Sequence, residues 1–331
     1  MTTEKNELKA SAVVSLPEDI SLFSVFEEDH DRFSFPGPVY RVSGGHGGEA
    51  LLIAGSQKTA LLDCGMAYCG EVTAGNIIRR LSALGRDRLD YIILSHSHYD
   101  HIGALPDIRR AFPAAKVMGD AHCAAILQRP GAHALMKELG ESARQLYTPD
   151  SRKEILTEGL YVDHVLTDGE RIPLGNEWIE AYETPGHTDC SMSFLLQPVR
   201  LLFTSESTGI IEGRDYIHTP CLKSFVSGLA SMEKCRALKP EHICLPHFGM
   251  VPDHLLSSYW DSFARECRNK ARFVRDMKQR GMTDEEMLTA YTDRYWTGQK
   301  EMEQPKEAFM LNSKYILRAL VKELPQLEQI I

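Results

Sequence analysis

Residues 91–105 read YIILSHSHYDHIGAL, an apolar run that passes within two positions into three histidines and an aspartate. Runs of Tyr, Ile and Leu are strand formers that seek burial, and imidazole or carboxylate groups are costly to bury unless something pairs with them. His96, His98, Asp100 and His101 therefore call for a shared partner. In extended or turn geometry His96 and His98 can point to one side while Asp100 and His101 swing to an adjacent one, so the group can serve two centres. Neutral imidazole and carboxylate together form the donor set favoured by zinc, iron or manganese. A polar surface loop is the competing reading, and the crowding of four such donors directly after a buried strand argues against it.

Three further strand ends carry the same kind of side chain. ETPGHTDCS puts His187 in a glycine turn after one β-type run, FTSES puts Glu206 after another, and CLPHFG puts His247 after a third. Loops at strand ends are where a rigid scaffold gathers functional residues. Upstream, VYRVSG, EALLIAG and KTALLDCG are parted by glycine-rich turns such as GGHGGE and read as an antiparallel meander. Val72, Ile77, Ile78, Leu81 and Leu84 recur at helical spacing, which predicts a helix over 71–84. A helix near IRRAF, a short strand KVMG and a helical insertion over about 120–147 follow, with Pro130 and Gly131 breaking the insertion. Strand signals resume in HVLTDGERIPLG, WIEAYETPGH, CSMSFLLQ and RLLFTSES, then a helix is expected over 224–238 and a last short strand at HICLPHFG. Two β-rich halves, each with helices, predict a pair of packed sheets with helices outside, an α/β fold.

The ends differ in character. The first 35 residues are polar with one expected strand near DISLFSV. From Asp253 only helical patterns occur: Leu256, Tyr259, Trp260, Phe263, Cys267, Val274 and Met277 form one apolar stripe on a long helix that Gly281 ends. Thr283 with Glu286 makes a capping box for a second helix, and a third spans KEAFMLNSKYILRALVKEL.

Of the 331 residues 43% are apolar and 25% charged, proportions that suit a globular chain with a sizeable core. A net charge of −9 offers no basic face to polyanions, so nucleic acid is not an expected partner. The first residues lack the apolar core of a signal peptide, and no run approaches the roughly 20 apolar residues of a membrane span. A cytoplasmic protein without membrane contact is expected. Eight cysteines without any C-x-x-C pair read as reduced, mainly buried thiols, with Cys64 and Cys190 close to the motifs above.

Taken in order, H-x-H-x-D-H, the G-H turn, the acidic residue after LLF and the late histidine resemble the metallo-β-lactamase superfamily. The resemblance covers roughly residues 36–252, leaving 1–35 as an N-terminal extension and 253–331 as a helical cap. It implies an αββα sandwich and two divalent metal ions, zinc first, with iron or manganese as alternatives. By the same resemblance His96, His98 and His187 hold one ion, and Asp100, His101 and His247 hold the other. Glu206 stands where the family generally has an aspartate bridging both ions, in an SE that replaces GD. Bridging glutamates are at home in di-iron carboxylate proteins. Asp63 in ALLDCG matches the acidic residue after the family's early hairpin and would orient a histidine ligand, with a buried turn cap as its other role.

Two divalent cations about 3.5–4 Å apart acidify a shared water and polarise the substrate oxygen, so hydrolysis by metal-held hydroxide is expected, with Asp100 steering it. Tyr99 and His218 are candidate oxyanion donors or structural hydrogen-bonders. The missing export signal argues against a true β-lactamase, and the acidic balance against a nuclease. HIGAL stands where glutathione thioesterases of the family continue with two glycines. Within the family, HYDH and the trailing helices are nearest to the quinolone-signal response members and their thioesterase-like relatives. The expected function is a dinuclear hydrolase of a small ester-like substrate, a thioester by preference. A di-iron oxidoreductase and a regulatory protein with a structural metal site are the alternatives. The C-terminal helices either roof a small-molecule pocket or form a homodimer contact.

Overall fold

The computed structural model describes residues 33–213, 216–296 and 306–330; the strand expected near DISLFSV lies outside them. The first sheet runs in sequence order: β1 (Val39–Arg41), β2 (Leu51–Ala54), β3 (Thr59–Leu62), β4 (Tyr91–Ile93), β5 (Lys116–Gly119) and β6 (His164–Val165). β1 to β3 form the expected antiparallel meander. From β3 onward the strands are parallel, which requires crossovers. Helix α1 (Gly70–Ala83) makes the first, α2 (Tyr99–Ile102) and α3 (Leu105–Ala111) the second, and α4 (Ala121–Ile126) and α5 (Pro130–Tyr147) the third. The insertion is broken between α4 and α5 as expected, with Pro130 opening α5 at a first-turn position where a missing N–H costs nothing and Gly131 lying inside the helix.

The second sheet contains β7 (Arg171–Pro173), β8 (Trp178–Glu183), β9 (Met192–Gln197) and β10 (Leu201–Phe203). A separate hairpin, β11 (Ile210–Gly213) and β12 (Tyr216–His218), and helix α6 (Phe225–Ala237) then intervene. β13 (His242–Leu245) returns parallel to β10, and β14 (Gly249–Met250) closes the edge. The hairpin had no signature in the sequence patterns.

Period-two alternation sorts the side chains into layers. Leu51, Ile53, Ala60, Leu62, Ile93 and Met118 face inward and meet Ile179, Ala181, Phe194, Leu196, Leu201 and Phe203 of the second sheet. Their neighbours Leu52, Leu61, Ile92 and Val117 face outward onto Ile77 and Leu81 of α1 and Ile108 of α3. Leu195, Leu202, Ile243 and Leu245 likewise face out from the second sheet, under Phe225 and Met232 of α6. The order of layers is helix, sheet, sheet, helix, as expected. Each fully buried Leu, Ile or Phe contributes about 1.5–3 kcal/mol, so a one-residue slip, which exchanges the faces, is strongly disfavoured.

The expected long C-terminal helix is two: α7 (Asp253–Leu256) and α8 (Tyr259–Gln279), parted at Ser257 and Ser258. Serine side chains compete with the helical backbone and favour such boundaries. The capping box of Thr283 and Glu286 opens α9 (Asp284–Tyr295), and Gly281 at φ +72° ends the preceding helix. Helix α10 (Lys306–Ile330) runs through Pro325, because Leu327 beyond it is fully buried in the core that α6, α8 and α9 share. No helix among the described residues is long and apolar enough to cross a membrane.

Candidate metal centre

The seven side chains singled out in the sequence meet at one end of the sandwich. Parallel β4 delivers the first four: its chain leaves the sheet at Leu94, passes Ser95, and winds into α2, so that His98 precedes the helix and Asp100 and His101 lie within it. The donor atoms of His96, His98 and His187 fall within 4.8 Å of one another. Those of Asp100, His101 and His247 form a second such group, and those of His96, His101 and Glu206 a third that overlaps both. Glu206 therefore sits between the two outer groups. Its Oε1 lies 2.7 Å from His101 Nε2 and 3.3 Å from His247 Nε2, and its Oε2 lies 3.7 Å from His96 Nδ1.

Close packing of nitrogen against nitrogen is the telling feature. His187 Nε2 is 2.9 Å from His98 Nδ1, and His101 Nε2 is 3.2 Å from His247 Nε2. Lone pairs aimed at each other at such distances repel unless a proton or a cation lies between them. His96 Nε2 and Glu206 Oε2 are buried without any hydrogen-bond partner among the described residues, and groups of that kind cost about 1–3 kcal/mol each when left unmet. The donor set, its orphaned atoms and its burial thus fit divalent cations.

Electrostatics follow from burial and from the carboxylates. Burial pushes the His98 imidazole down to about 3 and holds His96 and His187 below the ordinary histidine range, so these three are neutral and have lone pairs to give. Burial also opposes charge on His101, but Glu206, Asp100 and the hydrogen bond to Asp63 outweigh it and raise that pKa well above the usual value. Glu206 resists burial through the histidines around it, which hold its carboxyl well below the normal range.

The surrounding shell holds the donors in place. Asp63, at φ +53°, accepts from the Ser95 backbone N–H at 2.8 Å and the Ser95 hydroxyl at 2.6 Å, and its Oδ2 lies 3.0 Å from His101 Nδ1. It fills both roles considered for it, turn and orientation. The Pro220 carbonyl accepts from His187 Nδ1–H at 2.5 Å, and Ser207 Oγ accepts from the His187 backbone N–H at 2.9 Å. Ser95, Ser207 and Pro220 escaped the sequence reading because a serine beside a strand is commonplace and a backbone carbonyl has no residue signature. Two glycines are sterically required. A Cβ on Gly48 would lie 2.5 Å from the His101 ring, and one on Gly186, at φ +144°, would lie 2.7 Å from Gly228 Cα of α6.

Other candidates lie elsewhere. Tyr99 is half-buried against two apolar clusters, and the desolvation of its phenol pushes its pKa up. His218 turns its Nδ1 toward Lys270, at 3.3 Å, and Tyr216, at 3.4 Å. All eight cysteines are free and buried; Cys64 joins the site through its backbone, donating to the His101 carbonyl at 2.7 Å. Cys190 Sγ lies 3.5 Å from Ser97 Oγ.

Two facing sheets flanked by helices, with histidines and carboxylates gathered at the strand ends, define an αββα protein built around a cation-binding cluster. The sequence profile of the metallo-beta-lactamase superfamily matches residues 25–247, and the chain belongs to that superfamily. It is 26% identical over 214 residues to the metallo-beta-lactamase fold-containing protein ST1585 of Sulfurisphaera tokodaii, a match spanning 63% of this chain and 75% of that one. The solved structure of ST1585 superposes with a TM-score of 0.52 at 19% identity, covering 87% of this chain and 100% of its own. An atrochrysone carboxyl ACP thioesterase of Aspergillus fumigatus is 24% identical, over 62% of this chain and 55% of its own. A hydroxyacylglutathione hydrolase of Fuscovulum blasticum is 31% identical, over 59% of each chain.

Proposed function

We propose that the chain is a metal-dependent hydrolase with two divalent cations, zinc by preference, acting on a small ester-like substrate, a thioester first. The observation that carries this is the pair of three-donor groups joined by Glu206, with His96 Nε2 and Glu206 Oε2 buried and unmet. His96, His98 and His187 would hold one cation, Asp100, His101 and His247 the other, and Glu206 would touch both. Divalent cations in such a site supply Lewis acidity and bring the pKa of water near neutrality. The chain's own part is to present neutral imidazoles, to keep the site dry around His96 and His101, and to fix each ring. Asp100 is the carboxylate of the set that keeps solvent contact, its side chain 21% exposed, which supports a role for it in accepting a proton from an attacking water and orienting it. The thioester preference is supported by the two relatives whose names carry thioesterase and hydroxyacylglutathione hydrolase activity. Glutamate at 206 favours iron as the alternative metal and an oxidoreductase as the alternative reaction.

The test is metal quantification on protein purified with and without oxygen, followed by assay against thioesters, carboxyl esters, lactones and phosphodiesters. Two equivalents of cation and turnover of thioesters are expected. Absence of a stoichiometric cation, or turnover confined to phosphodiesters, overturns the proposal.

A further inference from the structure

Helix α8 carries an apolar stripe with two charged members, Glu266 and Lys270, of which Lys270 is the more deeply buried. Phe263, Cys267, Val274 and Met277 line its inner face, and Lys270 lies among them with no exposed surface. Burying an ammonium costs several kcal/mol, and an apolar residue would complete the stripe without that cost. What Lys270 reaches is therefore informative. Its Nζ lies 3.3 Å from His218 Nδ1 and 3.5 Å from the Thr219 carbonyl, with the Tyr295 ring centroid at 5.1 Å and those of Tyr216 and Tyr291 at 5.9 Å. The rings offset part of the desolvation. The hydrogen-bonding atoms belong to the segment that runs into Pro220, whose carbonyl takes the Nδ1–H of His187.

About three helical turns earlier, on the same face, Tyr259 makes a corresponding contact with the turn that carries Glu206. Its hydroxyl, fully buried, lies 3.0 Å from both the Thr208 and the Gly209 carbonyls. These close the short turn Glu206–Thr208, which holds Glu206 itself and Ser207, the acceptor for the His187 backbone N–H.

We infer that α8 is a positioning element of the metal centre, with Tyr259 setting the Glu206 turn and Lys270 setting the segment whose Pro220 carbonyl orients His187. The inference rests on the metal-centre reading proposed above. It assigns the C-terminal helices a role beyond covering the second sheet: two polar contacts, spaced along one face, fix donors that belong to both cation groups. Neither residue touches the donors directly, so both act through the backbone they hold.

Tyr259→Phe and Lys270→Met, stripped of metal, are titrated with zinc against a chromophoric chelator beside wild type, Lys270→Arg and Val274→Ala, and the thermal midpoints of the metal-free forms are recorded. Wild type is expected to bind zinc stoichiometrically. Tyr259→Phe and Lys270→Met are expected to bind it about 10-fold or more weakly, in the range for groups that orient ligands, and Lys270→Arg to regain most of the affinity. Val274→Ala removes only apolar volume from the same face and is expected to lower the thermal midpoint while keeping wild-type zinc affinity. Wild-type affinity in Tyr259→Phe and in any folded Lys270→Met overturns the inference, as does an equal loss in Val274→Ala. Failure of wild type itself to bind zinc instead overturns the metal-centre reading, and the inference with it.

Discussion

At the scale of single residues, the centre is a problem of matching charge in a dry place. Five imidazoles and two carboxylates share one end of the sandwich, and what separates their behaviour is which neighbours each one meets. Burial pushes the His98 imidazole down, whereas Glu206, Asp100 and the hydrogen bond to Asp63 raise His101 against the same burial. Asp63→Asn keeps the shape but removes the charge that orients His101 Nδ1. Zinc affinity, read by chelator competition, is expected to fall about 10- to 100-fold. Glu206→Gln acts between both donor groups and is expected to lower affinity or turnover by more than the roughly 100-fold upper end for groups one layer out. If Glu206→Gln proves milder than Asp63→Asn, Glu206 does not lie between two cations. The H-x-H-x-D-H pattern was legible because four donors in one turn are rare, whereas of the groups that orient the donors only Asp63 was, the others being a serine hydroxyl and a carbonyl, which the sequence has in abundance.

At the scale of elements, strand β8 shows how alternation and charge combine. Ile179 and Ala181 face the inner core, while Trp178, Glu180 and Tyr182 share the outer face. Glu180 is only 8% exposed, yet it accepts from Trp178 Nε1 and Tyr182 Oη, each at 3.0 Å, and pairs with Arg171 at 3.0 Å. Burial opposes its charge, but the Trp178, Tyr182 and Gln197 hydrogen bonds prevail and hold its pKa below the usual 4.5. A carboxyl with a lowered folded-state pKa binds fewer protons than it does in the unfolded chain, so it adds stability above the unfolded value and loses it as pH falls through the folded one. Glu180→Gln is expected to cost on the order of 1 kcal/mol at pH 7 and less below pH 4.5, measured by urea unfolding at both pH values. A cost that grows toward acid pH contradicts the assignment. The Arg171 pair adds little, since that guanidinium side chain is 69% exposed. The strands of the two main sheets were legible from their apolar patterns and the β11–β12 hairpin was not, and the long helix was misjudged only at Ser257 and Ser258, where local hydrogen-bonding preference overrides an unbroken apolar stripe.

For the whole molecule, the C-terminal helices and the sandwich are one packing unit. Phe263, Cys267 and Val274 of α8, Met287 and Tyr291 of α9, and Phe309 and Leu320 of α10 share a core with Leu195, Leu202 and Ile243 of the second sheet. Glu323 of α10 also accepts the backbone N–H groups of Phe225 and Val226, at 2.7 and 3.1 Å, at the start of α6. Ending the chain after residue 252 would expose this apolar face at about 25 cal/mol per Å², against the 5–15 kcal/mol that holds a domain folded. The shortened chain is expected to be insoluble or to lack a cooperative thermal transition by calorimetry. A cooperative transition near that of the full chain would show instead that the helices are a detachable cap.

The sequence by itself determined the α/β layering, the meander, the capping box and the cluster of four candidate donors at residues 96–101, because each is written in local spacing: a period of two or near four, or a dense run of metal-binding side chains. Only the tertiary structure decided how far Glu206 lies from each donor group, that Pro220 and Ser207 hold His187, and that α8 reaches both the Glu206 turn and the segment before Pro220. These depend on contacts between segments far apart in the chain, made largely through backbone atoms that every residue possesses, and periodicity holds no record of them.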